Sequence, residues 1–235
     1  MKHGDTNLIG YWMASLQDED FCAPQELRGE LASTVASTIA DYLDSGIEVA
    51  NYLGYSWCRY FCGASDSDMG SRELSDGVWS WPEGLSHYVR DHSVALPEEF
   101  IEHALTNGSH GTRDDGIIPT ESDYRPSLKF WKKWCATQRS PLLAKRLHKM
   151  RADADARALS AERNENQQMV QELIDGHGLG DDACIWTGCE EKALADMKVC
   201  AQHSLGDVPS IAASNCYLLT PELLTQLLSE KKDAP

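Results

Sequence analysis

The sequence predicts an α+β fold, mostly helical. A small β-hairpin and helix element lies in an N-terminal domain, a long polar helix follows, and a zinc module closes the chain. Three observations predict it. Apolar residues recur at helical spacing in several segments, Asp76-Gly77 separates two short strand-like runs, and cysteines pair with histidines at ligand spacing.

The elements follow in order. Leu27, Leu31, Val35, Ile39 and Leu43 share one face of a helix expected over Pro24 to Leu43, which Ser45-Gly46 stops. Glu48 to Arg59 is rich in aromatic residues and suits a strand or bent hairpin. Arg72 to Trp81 reads as a short hairpin, and Trp79 and Trp81, two apart, belong on one core-facing side. Pro82 stands where a first helical position is expected, with Leu85, Tyr88 and Val89 following. Another helix is expected from Pro97, carrying Phe100, Ile101, Ala104 and Leu105. Ser140-Pro141 opens a helix running to Asp175, whose middle, Asp153 to Gln168, offers only Leu159 as a large apolar side chain. Such a helix is a solvated bridge or a partner-binding arm. Thr220-Pro221 opens a last helix with Leu223, Leu224, Leu227 and Leu228 inward and Lys231-Lys232 beyond. The expected organisation is an acidic domain over 1–106, a linker over 107–124, a basic-aromatic segment and long helix over 125–178, and a zinc-knuckle module with its amphipathic helix over 179–235.

The 235 residues, 42% hydrophobic and 25% charged, are enough for a sizeable core. No apolar run approaches the ~20 residues of a membrane span, and the first residues lack the apolar core of a secretory signal, so the expected location is the cytoplasm. There, eight cysteines point to buried thiols or metal ligands rather than disulfides.

Charge is divided along the chain. Residues 1–124 carry 6 Lys/Arg against 22 Asp/Glu, the whole net charge of −16. Such a surface repels phosphate backbones and attracts basic partners. Arg125 to Arg151 is the exception, with nine basic residues and no acidic one: Arg125, Lys129, Lys132, Lys133, Arg139, Lys145, Arg146, Lys149 and Arg151. Phe130, Trp131 and Trp134 interleave with them. That mixture can stack on bases and pair with phosphates, or dock on the acidic first domain.

Two clusters carry ligand spacing. Cys184 and Cys189 form one short pair, Cys200 and His203 a second, and Gly188 suits the tight turn between them. Four borderline or soft ligands from two short loops are what a tetrahedral zinc takes. Cys58 and Cys62 precede the hairpin, and His87 and His92 follow it, as in a ββα finger with a long insert. Residues five apart lie about 140° apart around a helix, so His92 can join His87 only if the helix tightens or ends between them. One zinc is expected, a second if both clusters bind; four protein ligands make a closed, structural site.

The pattern at 184–203 resembles the C-x4-C, C-x2-H zinc knuckles appended to many bacterial and phage proteins. Residues 56–100, SWCRYFC through DGVWSWPEGLSHYVRDHSVALPEEF, resemble a block shared by bacterial proteins that begin, as this chain does, with a segment like IGYWMASLQDEDF. Neither resemblance implies an activity.

No nucleotide loop, serine elbow or H-E-x-x-H motif is present. Catalysis would need His87 and His92 with Asp76 or Asp91 on an open zinc and Glu83 as base, or a nucleophilic Cys22 or Cys135. The sequence therefore points to a non-enzymatic, zinc-stabilised protein presenting acidic surface to a basic partner, as an immunity-type inhibitor would. The alternatives are a nucleic-acid-associated regulator using residues 125–151 and a zinc hydrolase.

Overall fold

The computed structural model of the protein describes residues 6–29, 31–108, 124–206 and 210–229. They form two compact units, one reaching to Leu147 and resuming at Leu219, the other running from His148 to Leu218. The sequence-based divisions differ. Of the expected linker over 107–124, residues 109–123 lie outside the described residues; the basic segment up to Leu147 belongs to the first unit, and so does the C-terminal helix.

In the first unit, β1 (Thr6–Leu8) leads to a 3-10 turn at Pro24–Leu27 and then to α1 (Ser33–Asp44). The helix expected over Pro24 to Leu43 is thus broken. The break has a tertiary cause: Arg28 bridges Val94, Gly29 N donates to Ser93 O at 3.0 Å, and Ala95 N donates to Leu27 O at 2.5 Å, so these backbone groups are drawn from the helical ladder to another segment. Gly46 then lets the chain turn against the core, since a Cβ there would stand 2.7 Å from Trp81 Cζ2.

β2 (Ile47–Asn51), the one-turn α2 (Asp66–Met69), β3 (Arg72–Ser75) and β4 (Trp79–Pro82) follow. The Asp76-Gly77 hairpin forms as the sequence predicts. Asp76 Oδ1 accepts from Val78 N and Trp79 N, each at 2.8 Å, and so fixes the turn. The sheet order is β2-β3-β4-β1-β5, where β5 is Pro126–Ser127. The first three strands are antiparallel, and β1 runs parallel to both β4 and β5. Pro82 ends β4 rather than starting a helix, because Glu83 N is taken by Arg72 O across the hairpin.

α3 (Leu85–His92) and α4 (Glu98–Asn107) complete the core, α1 packing on both. Trp81 is wholly buried, its indole N–H bonded to Leu43 O at 3.0 Å, with Tyr42 and Phe100 against its ring. α5 (Lys129–Gln138) carries Trp131 and Cys135 into the same core. α6 (Pro141–His177) is the long helix the sequence predicts, and α9 (Pro221–Leu228) buries Leu224 and Leu227 in the first unit. Lys231-Lys232 lies outside the described residues.

The second unit adds the hairpin β6 (Leu179–Ala183) and β7 (Lys192–Leu194), with α7 (Ala201–Leu205) and α8 (Ile211–Asn215). The polar middle of α6 is mostly exposed, with Ala154 and Ala158 buried and Ala161, Glu165 and Asn166 half-buried. The small side chains of Ala154 and Ala158 let the 210–217 segment approach, tied by Ser210 to Glu165 and by Tyr217 Oη to Asp155 at 2.9 Å. No described helix is long and apolar enough to cross a membrane.

Candidate metal centres

Among the described residues, two groups of side chains bring four ligand atoms within 4.8 Å of one another: Cys58, Cys62, His87 and His92, and Cys184, Cys189, Cys200 and His203. All eight residues were expected as ligands from spacing. Each group can hold a metal ion.

The first group sits where the loop after β2 meets α3. Cys58 Sγ lies 3.2 Å from His92 Nε2 and 3.3 Å from His87 Nε2, and Cys62 Sγ lies 3.5 Å from His87 Nε2. The two Nε2 atoms are 3.1 Å apart. The spacing requires the helix to tighten or end between the histidines, and it does neither. It ends just after His92, where Ser93 turns left-handed at φ 52°, and the two rings meet through their Nε2 atoms. Supporting contacts orient the ligands. Asp91 Oδ2 holds His87 Nδ1 at 2.6 Å, which presents Nε2 as the lone-pair nitrogen. Tyr60 stacks on His92 with ring centroids 4.0 Å apart and planes 6° from parallel. Tyr60 N donates to Cys58 Sγ at 3.4 Å. Burial raises the Cys58 thiol pKa, and burial together with the neighbouring His87 lowers that of His92, so His92 favours the neutral form a metal requires.

The second group is carried by the β6–β7 hairpin and the start of α7. His203 Nδ1 lies 3.4 Å from Cys184 Sγ and 3.3 Å from Cys200 Sγ, and Cys189 Sγ is 3.9 Å from Cys200 Sγ. Trp186 stacks on His203 at 4.8 Å. Burial pushes the Cys184 thiol up, but the N–H groups of Trp186 and Cys200 and the His203 side chain outweigh it, leaving the thiol at about 6. A thiol so placed is a ready thiolate ligand.

The two loops share one backbone device. The residue before the second cysteine is left-handed in both: Gly188 at φ 82° and Phe61 at φ 52°. In each, the chain turns back on itself, Cys189 N donating to Trp186 O at 3.0 Å and Phe61 N to Cys58 O at 2.9 Å. Gly188 was legible in the sequence. Phe61 was not, since an aromatic residue rarely takes that conformation.

The residues of the hydrolase alternative are elsewhere. Asp76 is buried, its Oδ2 accepting from Tyr42 Oη at 2.6 Å and meeting His103 Nε2 at 2.9 Å. Glu83 is tied to Arg72. Asp91 stands behind His87 as an orienting group. Cys22 and Cys135 touch each other, Cys22 N donating to Cys135 Sγ at 3.2 Å. Their hydrogen bond and burial push the Cys22 thiol far up, which unsuits it as a nucleophile.

The basic segment docks on its own chain. Arg139 grips Glu26 by two bonds of 3.0 Å and also donates to the carbonyls of Glu19 and Phe21, while Lys132 pairs with Asp20 at 3.1 Å. Trp131 is buried and Trp134 stacks on it at 5.0 Å. Arg125, Lys129, Lys133, Lys145 and Lys149 remain exposed.

Sequence reasoning missed a cavity of about 270 Å³ beside the first group, lined among others by Tyr11, Trp12, Tyr55, Arg59, Leu85 and Tyr88. Its walls come from four separate segments, and no spacing rule links them. The chain matches no protein-family model, no curated protein and no solved structure.

Proposed function

We propose that the protein is a non-enzymatic binding protein, stabilised by two zinc ions, that presents acidic surface to a basic protein partner. The observation that carries this reading is the placement of its surplus charge. Asp66 and Asp68 on α2 and Glu98, Glu99 and Glu102 on α4 are exposed and make no ion pair among the described residues. In a chain of net charge −16, these carboxylates form a field that steers cationic partners and excludes phosphate.

Zinc is supported by the edge lengths. A tetrahedron with zinc–sulfur bonds of about 2.3 Å and zinc–nitrogen bonds of about 2.0–2.1 Å has edges of about 3.8 Å (S–S), 3.6 Å (S–N) and 3.3 Å (N–N). The S–N distances are 3.2–3.5 Å across the two groups, the His87–His92 N–N distance in the first is 3.1 Å, and the Cys189–Cys200 S–S distance in the second is 3.9 Å. Four protein ligands leave no position for a reacting water, which favours a structural role over hydrolysis.

The test has two parts. Elemental analysis of protein purified without chelator should give two zinc equivalents per chain. Cross-linked partners recovered from the native host should be basic, should elute with salt, and should be lost when Asp66, Asp68, Glu98, Glu99 and Glu102 are replaced by their amides.

A second reading, nucleic-acid association, draws on the five exposed basic residues between Arg125 and Lys149. Duplex DNA or RNA bound at about micromolar affinity in physiological salt, and lost on replacing Lys129, Lys133, Lys145 and Lys149 by Gln, would promote it over the first.

A further inference from the structure

The cavity beside the first cysteine–histidine group has a chemistry that neither structural zinc nor acidic surface explains. Its walls are aromatic and apolar, with Tyr11, Trp12, Tyr55, Tyr88, Met69 and Leu85 prominent. Trp12 and Tyr88 meet edge to face at 5.1 Å, which holds that wall rigid. Two cations also line it, and they differ in kind. Arg72 is neutralised at the rim by Glu83 and Glu48. Arg59 has no carboxylate partner among the described residues.

Arg59 is half-buried, and its guanidinium lies 3.8 Å over the Trp57 ring. Of its five N–H donors, one from Nη1 is used, on Trp57 O at 3.0 Å. Nε is shielded from solvent and makes no hydrogen bond. In a domain with 22 carboxylates against 6 basic residues, a guanidinium that pairs with none of the described ones is costly unless something else completes it. The hydroxyls of Ser56 and Tyr55, on the same wall, also make no hydrogen bond among the described residues.

We propose that this cavity binds a small aromatic carboxylate, its carboxylate on the Arg59 guanidinium and its ring between the aromatic walls. The guanidinium fork matches a carboxylate bidentately. Aromatic walls favour a planar body over a flexible chain. About 270 Å³ lies just below the usual range of about 300–1,000 Å³ for drug-sized ligands, which suits a single ring. One unpaired cation on the described cavity wall, in a molecule of net charge −16, favours a monoanion over a phosphate dianion.

The experiment titrates the metal-loaded full chain by calorimetry, with quenching of tryptophan fluorescence as a second readout. The probes are benzoate, benzamide, benzylammonium and inorganic phosphate. Benzoate should bind at least about tenfold more tightly than isosteric, neutral benzamide, and benzylammonium and phosphate should not bind. Arg59→Gln should weaken benzoate at least about tenfold, the loss of a charge-assisted pair, and Arg59→Lys should fall between it and the wild type. Metal content and circular dichroism of each variant report whether it folds, and the wild-type panel stands even if a variant does not. No benzoate binding at about 20 mM, equal binding of benzamide, or phosphate binding as tight as benzoate would each overturn the proposal, as would an Arg59→Gln protein that folds and binds unchanged.

Discussion

Replacing Arg139 by Met should destabilise the first unit by about 3–5 kcal/mol. The magnitude follows from what the substitution leaves behind. The Glu26 side chain is 2% exposed and that of Arg139 is 11% exposed, and two bonds of 3.0 Å join them. Without the guanidinium, a carboxylate remains buried with the Ala23 N–H, 2.8 Å away, as its one remaining partner among the described residues, and breaking a buried pair in this way costs about 3–5 kcal/mol. That is a large part of a typical domain stability of about 5–15 kcal/mol. Lys132→Met is the internal control. Its pair with Asp20 has side chains 41% and 66% exposed, so its loss should cost about 0–1 kcal/mol. Urea denaturation followed by tryptophan fluorescence reads both, since Trp131 and Trp134 lie on α5, which carries Lys132 and is capped by Arg139. In the Arg139→Met, Glu26→Leu double variant the buried charge is gone, so the combined loss should fall short of the sum by at least about 2 kcal/mol. A single-variant cost below about 1 kcal/mol, or strict additivity, would refute the claim that the basic segment is held by internal charge pairing.

Four further outcomes follow from the metal loops and the hairpin. Asp91→Asn should lower metal affinity at the first group by about 10–100-fold and leave the second unchanged, read by competition with a chromophoric chelator, because the carboxylate orients His87. Gly188→Val should weaken the second group and cost at least about 1–2 kcal/mol, since a β-branched residue is strained at φ 82°. Phe61→Gly at the matching position should be neutral or stabilising in thermal melts. The hydrogen bonds from Arg72 hold the Glu83 carboxyl below its usual range. Its contribution, below about 1 kcal/mol for a pair this exposed, is therefore present above the unfolded value of about 4.3 and is lost as pH falls through the folded value. Glu83→Gln should flatten the acid side of a stability–pH curve, and an unchanged slope would contradict the pairing.

Much of the metal chemistry was legible because ligands close in sequence are close in space. Cys184 to Cys189 and Cys200 to His203 each span one short turn, so spacing alone nearly fixes their geometry. Cys58, Cys62, His87 and His92 were also identifiable by residue type. Their grouping was expected from the hairpin between the two pairs; how the histidines share it was not, because it depends on α3 running unbroken to His92 with both Nε2 atoms turned to one side. The cavity was wholly illegible: Gly10, Arg59, Glu83 and Tyr88 become neighbours only when the sheet and α3 pack.

The sequence by itself determined the elements whose signals are local. The Asp76-Gly77 turn, the long helix from Pro141 and the Thr220 cap, whose Oγ1 accepts from Leu223 N at 3.3 Å, rest on side chains and backbone a few residues apart. Tertiary structure decided what depends on distant partners. It broke the first helix at Arg28, because Val94 and Ala95 offered its backbone another set of hydrogen bonds. It placed β1 between β4 and β5 as a parallel strand, a pairing that no alternation within three residues encodes. It turned Arg139 inward while leaving Lys133 exposed, though composition gave both the same charge. A local signal survives folding when its own hydrogen bonds are the best available to it, and it yields where burial and a distant partner offer more.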